Sequence, residues 1–113
     1  LANLFCAGEK SGSQIGHPEA VATGLLAGNN AVRSALRKDL LILPRTTVTG
    51  DFIAFVGEAM RTEEGLKSGY TFSGASYFNN SMKPKGLYTT DRTKIEQRVR
   101  DAGLIDVFAK KLT

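Results

Sequence analysis

The chain opens on a short, mostly apolar run, Ala-Asn-Leu-Phe-Cys-Ala over residues 2–7, that stops at Gly8. A run of this length ended by glycine predicts a short buried strand of the parallel type. Polar and small residues follow to His17, with Gly8, Gly12 and Gly16 spaced four apart, so a glycine-rich loop is expected there. Pro18 suits the first turn of a helix, where its missing N–H has no partner to lose. Helical spacing then continues to about Lys38. On one side of that helix Ala20, Gly24, Ala27, Gly28 and Ala31 recur. Glycine inside a helix costs up to about 1 kcal/mol relative to alanine. Two of them four apart predict the close approach of a flat ligand or a backbone, or tight packing on a neighbouring sheet. Leu25, Leu26, Val32 and Leu36 cover another side, a pattern suited to burial inside a larger protein.

The pattern changes after Lys38. Residues 40–44 form an apolar connector that ends in proline. Thr46 or Thr47 is placed to cap a second helix, with Val48, Phe52, Phe55, Val56 and Met60 on its apolar side. Residues 61–69 are charged and contain glycine, so they read as a loop. Residues 70–82 alternate aromatic with polar at first, which fits a strand or an ordered coil. Thr90 or Asp91 is placed to cap a helix carrying Ile95, Val99 and Ala102, with Gly103 as its stop. A last short helix is expected over about 104–112, with Leu104, Val107, Phe108 and Leu112 inward. The expected fold class is α+β and helix-rich: a short strand and a glycine-rich turn lead into a long helix, followed by helices around an irregular aromatic loop.

Length limits what this arrangement can be. With 113 residues there is material for one small core and not for two independent ones. The chain begins at Leu, and a strand-like run starts at once, so a piece of a longer protein is expected. A single cysteine excludes an internal disulfide and fits a reducing compartment, with the cytoplasm as the expected location. Inside an apolar strand, Cys6 is expected to be a buried inert thiol. One histidine leaves no Cys/His cluster for a structural zinc, so no metal site is assigned. No apolar run approaches the roughly 20 residues of a membrane span.

The charge is uneven. The net charge is +4, and residues 83–100 carry Lys83, Lys85, Arg92, Lys94, Arg98 and Arg100 against Asp91 and Glu96. Such a stretch suits either contact with phosphates or a solvated helix face. The candidate RNA-binding residues are Arg92, Lys94, Arg98 and Arg100, with Tyr88 and the aromatic stretch at 70–78 available for stacking.

The candidate chemistry lies at the start of the first long helix. Free N–H groups at a helix start attract negative charge, and glycines at 8, 12 and 16 let a backbone pass close to a ligand. Glu9, at the end of the opening run, is placed to accept hydrogen bonds from hydroxyls. The residues of this region, NLFCAGEKSG followed by QIGHPEAVATGLLAGNNAVR, resemble the last flavin-binding segment of the glucose-inhibited division protein A group of FAD proteins. The matching residues are Leu4, Phe5, Gly8, Gly12, Gly16, Glu19, Ala20, Ala22, Gly24, Leu25, Ala27, Gly28, Asn30 and Ala31. The stretch LPRTTVTGDFIAFV also resembles the folate- and FAD-dependent tRNA (uracil-5-)methyltransferase branch of that group. Three departures stand out: Glu9 where the group has Gln, an extra residue between Gly12 and Gly16, and His17 where the group has Tyr.

The resemblance implies FAD as the cofactor of the whole protein and a role in tRNA uridine modification. It implies a division into residues 1–40, the strand-helix edge of an FAD-binding domain, and residues 41–113, a helical extension. The implied cofactor-binding residues are Gly8, Glu9, Gly12, Gly16, His17, Glu19 and Ala20. Gly8 and Glu9 would lie near the ribityl chain and pyrophosphate, and Gly16 to Ala20 would face the pyrimidine edge of the isoalloxazine. Thr23 and Asn30 remain open between ligand contacts and packing. The group's reactive cysteines lie upstream, so Cys6 is not cast as catalytic and no catalytic residue is assigned. The expected partners are an N-terminal FAD-binding part of the same protein, tRNA, and a second copy of the chain. Alone, this piece is expected to be inactive and to bind FAD poorly. The alternative is a basic RNA-binding or structural module without catalysis of its own.

Overall fold

A computed structural model describes residues 2–113, and its regular structure is almost entirely helical. A 3₁₀ turn at Gly8–Ser11 precedes α1 (His17–Ala35), α2 (Val48–Ala59), α3 (Glu63–Leu66), α4 (Ala75–Tyr77) and α5 (Arg92–Asp101). α4 runs directly into a π-helical turn, Phe78–Met82.

Three of these helices follow from their end signals. α1 starts at Gly16 with Pro18 in its first turn. It closes where Arg37, at φ 56°, donates its N–H to Ser34 O and Lys38 donates to Arg33 O, at 3.1 and 2.8 Å. That pair of bonds satisfies carbonyls a helix end otherwise leaves open. α2 is capped by Thr47, whose hydroxyl accepts the Gly50 N–H at 3.2 Å. α5 is capped by Asp91, whose carboxylate accepts the Thr93 and Lys94 N–H groups. Gly103, at φ 70°, ends α5 with the same double closure that ends α1.

The core gathers on α2. Phe52 and Val56 are fully buried there, joined by Tyr70, Tyr77, Met82 and Leu87, with Val48, Phe55 and Met60 packed at the margin. Tyr77 meets the edges of Phe52 and Phe55 at centroid distances of 5.1 and 5.4 Å. The apolar side expected for the second helix is therefore the one that is buried.

Four expectations are corrected. The strand over residues 2–7 is not seen: a strand needs a hydrogen-bonded neighbour, and among the described residues the one β-type pairing is an isolated bridge between Gln14 and Tyr70. With no strand there, Cys6 is exposed rather than buried. Residues 70–82 form no strand: residues 71–74 are irregular, as an ordered coil would be, and from Ala75 the segment is helical. The segment turns into α4 and the π-helical turn, because Tyr77, Ser81 and Met82 reach the core at helical rather than alternating spacing. Residues 104–112 make turns instead of a helix. Asp106 sits at φ 53°, a conformation no helix contains, so the segment closes only locally through Val107 N–H to Leu104 O and Ala109 N–H to Asp106 O. In that tail Phe108 is 40% exposed. A smaller difference lies in residues 61–69, where Thr62 caps the single turn of α3 inside the expected loop.

Candidate functional site

The loop before α1 lies against the first two turns of that helix. Gly8, buried and at φ 60°, donates its N–H to Thr23 Oγ1 at 2.9 Å. The Thr23 hydroxyl in turn donates to Glu19 O at 2.7 Å. Thr23 thus serves packing, and so does Asn30, whose side-chain amide exchanges two hydrogen bonds with the backbone of Leu41. Those two bonds pin the apolar connector to α1.

Glu19 is 4% exposed, and its Oε2 accepts the Phe72 N–H at 2.7 Å. This bond ties the start of α1 to the aromatic segment far along the chain. The other carboxylate oxygen lies so close to Gly16 that any Cβ there would collide with it. Gly16 also sits at φ 109°, so both the backbone and the neighbouring acid require glycine at this position.

The remaining candidate residues separate. His17 and Ala20 are exposed on the first turn of α1, and Glu9 is exposed on the 3₁₀ turn. Gly12 is buried away from them: a Cβ there would stand 3.0 Å from Val56 Cγ1, so this glycine lets the loop press on α2. The structure therefore brings Gly8, Gly16, His17, Glu19 and Ala20 to the start of α1 and turns Gly12 elsewhere.

The start of α1 has no side-chain cap. Ala20 N–H already bonds Gly16 O, and Pro18 has no N–H. The amides of His17 and Glu19 are among those a helix leaves without an internal partner. An uncapped, exposed end of this kind favours a negatively charged or electron-rich group.

Two hollows flank α1. An inner one of about 260 Å³ is lined by Phe5, Cys6, Thr23, Leu26, Asn30 and Ile53. An outer groove runs along Ala20, Gly24, Leu25, Gly28 and Val32 and is closed by Phe108 and Leu112. A Cβ at Gly24 or Gly28 would meet nothing within 4 Å. The close neighbour that two helix-interior glycines predict is thus not supplied by the described residues.

The basic residues also divide. No residue of α5 is buried. Arg98 donates to the carbonyls of Leu87 and Gly86 at 2.6 and 3.0 Å, so it clamps the preceding loop. Arg92 pairs with Glu96 at 3.1 Å, while Lys94 and Arg100 stand exposed. Among the described residues no group of three His, Cys, Asp or Glu side chains could hold a metal ion. No helix among them is long and apolar enough to cross a membrane.

One cluster was not foreseen from the sequence. Asp51 is fully buried on α2 and accepts hydrogen bonds from Lys85 Nζ at 2.6 Å, Ser81 Oγ at 2.7 Å, Arg45 Nε at 2.8 Å and the Tyr77 hydroxyl at 3.0 Å. Arg45 also pairs with Glu58. Burial pushes the Asp51 carboxyl up, but the bonds from Lys85, Ser81, Arg45 and Tyr77 outweigh it and hold it at about 2, below its ordinary 3.8. Burial, and then the bond to Asp51, raise the Tyr77 phenol. No buried side-chain polar atom of the cluster is left without a partner, which marks it as a structural joint between α2 and the π-helical turn. The available signal was an acid inside an otherwise apolar helix face, since an acid is seldom buried unless paired.

The family model described as glucose inhibited division protein A matches residues 1–39, a stretch that takes in the 3₁₀ turn, the loop before α1 and the whole of α1. Over those residues the chain is similar to that family. Two curated relatives from Streptococcus pyogenes strains, both named methylenetetrahydrofolate–tRNA-(uracil-5-)-methyltransferase TrmFO, are 42% and 44% identical to it over 57 residues. That match takes in 50% of this chain and 12% of each relative. No solved structure matches.

Proposed function

We propose that this chain is the C-terminal part of an FAD-dependent flavoprotein acting in tRNA uridine modification by methyl transfer, and that residues 1–40 close one side of its flavin site. The observation carrying this reading is that the family match over residues 1–39 falls on an uncapped, glycine-entered helix start. The open glycines Gly24 and Gly28 support it, because they suit a close neighbour contributed by other parts of a longer protein.

The residues present fit one edge of a flavin. The amides at the start of α1 suit the electron-rich pyrimidine edge, where the helix dipole would favour the anionic reduced ring. His17 is exposed there and supplies a ring nitrogen for hydrogen bonding. Glu9, exposed on the 3₁₀ turn, can accept bonds from hydroxyls such as those of the ribityl chain. Glu19 acts as a positioning residue, because its bond to Phe72 N–H fixes the angle at which α1 begins. When bound, the flavin itself would supply the redox chemistry. None of the chain's own groups is assigned a catalytic step, so the piece alone is inactive in this reading.

A second reading, a basic module that binds RNA without catalysis of its own, is favoured by the exposure of most of α5, Lys94 and Arg100 included. The two readings are compatible, since a flavoprotein acting on tRNA also needs a basic surface.

His17→Glu tests the first reading in the full-length protein. A carboxylate in the first turn favours the helix by a few tenths of a kcal/mol, so the fold and its melting temperature should hold. The added charge would oppose the anionic flavin edge. The expected result is a lower flavin content together with a more negative flavin potential. Unchanged content and potential would remove the start of α1 from the site.

A further inference from the structure

We propose that the aromatic hollow between the π-helical turn and Tyr88 takes an unpaired base of single-stranded RNA. The hollow, about 400 Å³, is walled by Phe72, Phe78, Met82 and Tyr88, with Ser73 at its edge. The inference rests on the RNA reading of the basic segment and adds to it a ligand class and a subsite.

Three independent features meet here. The first is exposure. Tyr88 is 61% exposed, although its ring meets Phe78 edge-on at 5.5 Å. An apolar ring held at the surface by another ring offers a stacking face at little cost in side-chain freedom. The second is the backbone. Phe78 and Met82 stand at the two ends of the π-helical turn. Such turns are rare and recur at functional sites, since the widened turn displaces side chains from ordinary helical positions. The third is charge. Residues 83–100, which begin beside Met82 and include Tyr88, carry six cations and two acids. That difference equals the +4 of the whole chain, so the other residues together are neutral. The basic excess is thus confined to the segment bordering the hollow.

The chemistry of the two parts selects the occupant. A basic surface holds a phosphate backbone, and an aromatic wall holds the face of a base. An unpaired base enters the hollow without the few kcal/mol of unpairing that a duplex base would cost, so single-stranded RNA is favoured over a duplex. Within the segment Arg98 is committed to the Leu87 and Gly86 carbonyls and Lys85 to Asp51. With Arg92 paired to Glu96, backbone contact falls to Lys83, Lys94 and Arg100, all of them exposed.

The test is fluorescence anisotropy of a labelled oligouridylate with the 113-residue chain, run over a salt series. Tyr88→Ala should weaken binding roughly 10-fold with no change in salt dependence, while the melting temperature stays put because Tyr88 is a surface side chain. The double variant Lys94→Gln/Arg100→Gln should instead flatten the salt dependence by roughly one unit of slope per charge removed. Quenching of tyrosine fluorescence on binding, lost in Tyr88→Ala, would place a base on that ring. If the charge variant loses RNA but Tyr88→Ala does not, the subsite is wrong and the RNA reading stands. If the native chain binds no RNA, or binds duplex as tightly as single strand, the proposal is overturned.

Discussion

Replacing Asp51 with alanine should destabilise the chain by about 3 kcal/mol, near the lower end of what removing one partner of a buried ionic group costs. The cost comes from the groups left behind. The Tyr77 and Ser81 hydroxyls lose their acceptor in a buried position, and a buried unsatisfied polar group costs about 1–3 kcal/mol. Lys85 and Arg45 are partly exposed and can turn to water, which keeps the total from rising further. Against a typical stability of about 5–15 kcal/mol, the loss should appear as a clear fall in the urea midpoint. A pH titration of stability should give the same answer. The Asp51 carboxyl is held at about 2 in the folded chain, below its ordinary 3.8. Its contribution is therefore complete above about pH 4 and is lost as the pH falls through 2. In Asp51→Ala, stability should depend much less on pH in that window. A variant as stable as the native chain would show that the cluster does not join α2 to the π-helical turn.

Gly50→Ala should be destabilising by about 3 kcal/mol, although the same change in an open helix interior is stabilising by up to about 1 kcal/mol. The sign is set by the connector. A Cβ on Gly50 would collide with the Pro44 carbonyl oxygen and stand 2.6 Å from that of Leu43. Both are backbone atoms of a segment pinned at its other end by Asn30, so neither can yield cheaply. Gly57 supplies the control within the same helix. Nothing lies within 4 Å of its Cβ position, so Gly57→Ala should raise the melting temperature slightly. Equal effects at the two positions would mean that helix propensity, not the connector, governs both.

The helices that the sequence announces are those with strong end signals. Gly16-His17-Pro18, Thr47 and Asp91 each begin a helix where expected, because a first-turn proline and the side-chain caps of Thr47 and Asp91 act within a few residues. The buried side of α2 was also legible, since Val48, Phe52, Phe55 and Val56 recur at helical spacing. The segment from Tyr70 to Met82 was not. Its first residues alternate because Tyr70 pairs with the loop before α1, and only from Ala75 do tertiary contacts select a helix. Asp51 was missed for a similar reason: its partners at 45, 77, 81 and 85 come together only once the fold has formed. The opening run misled in the opposite direction. Its apolar pattern fits a buried strand, but no partner strand for it lies among the described residues. Of the candidate site, the placement of Gly8, Gly16 and Glu19 at the start of α1 could be read from spacing. The turning of Gly12 onto α2 could not, because it depends on Val56 and Met60.

The visible absorption spectrum of the purified full-length protein tests the central claim most directly, with the 113-residue chain as its comparison. The account predicts a yellow full-length protein carrying FAD and a piece that neither retains nor tightly binds added FAD. A colourless full-length protein that takes up no FAD would contradict it, as would a 113-residue chain that holds FAD tightly by itself.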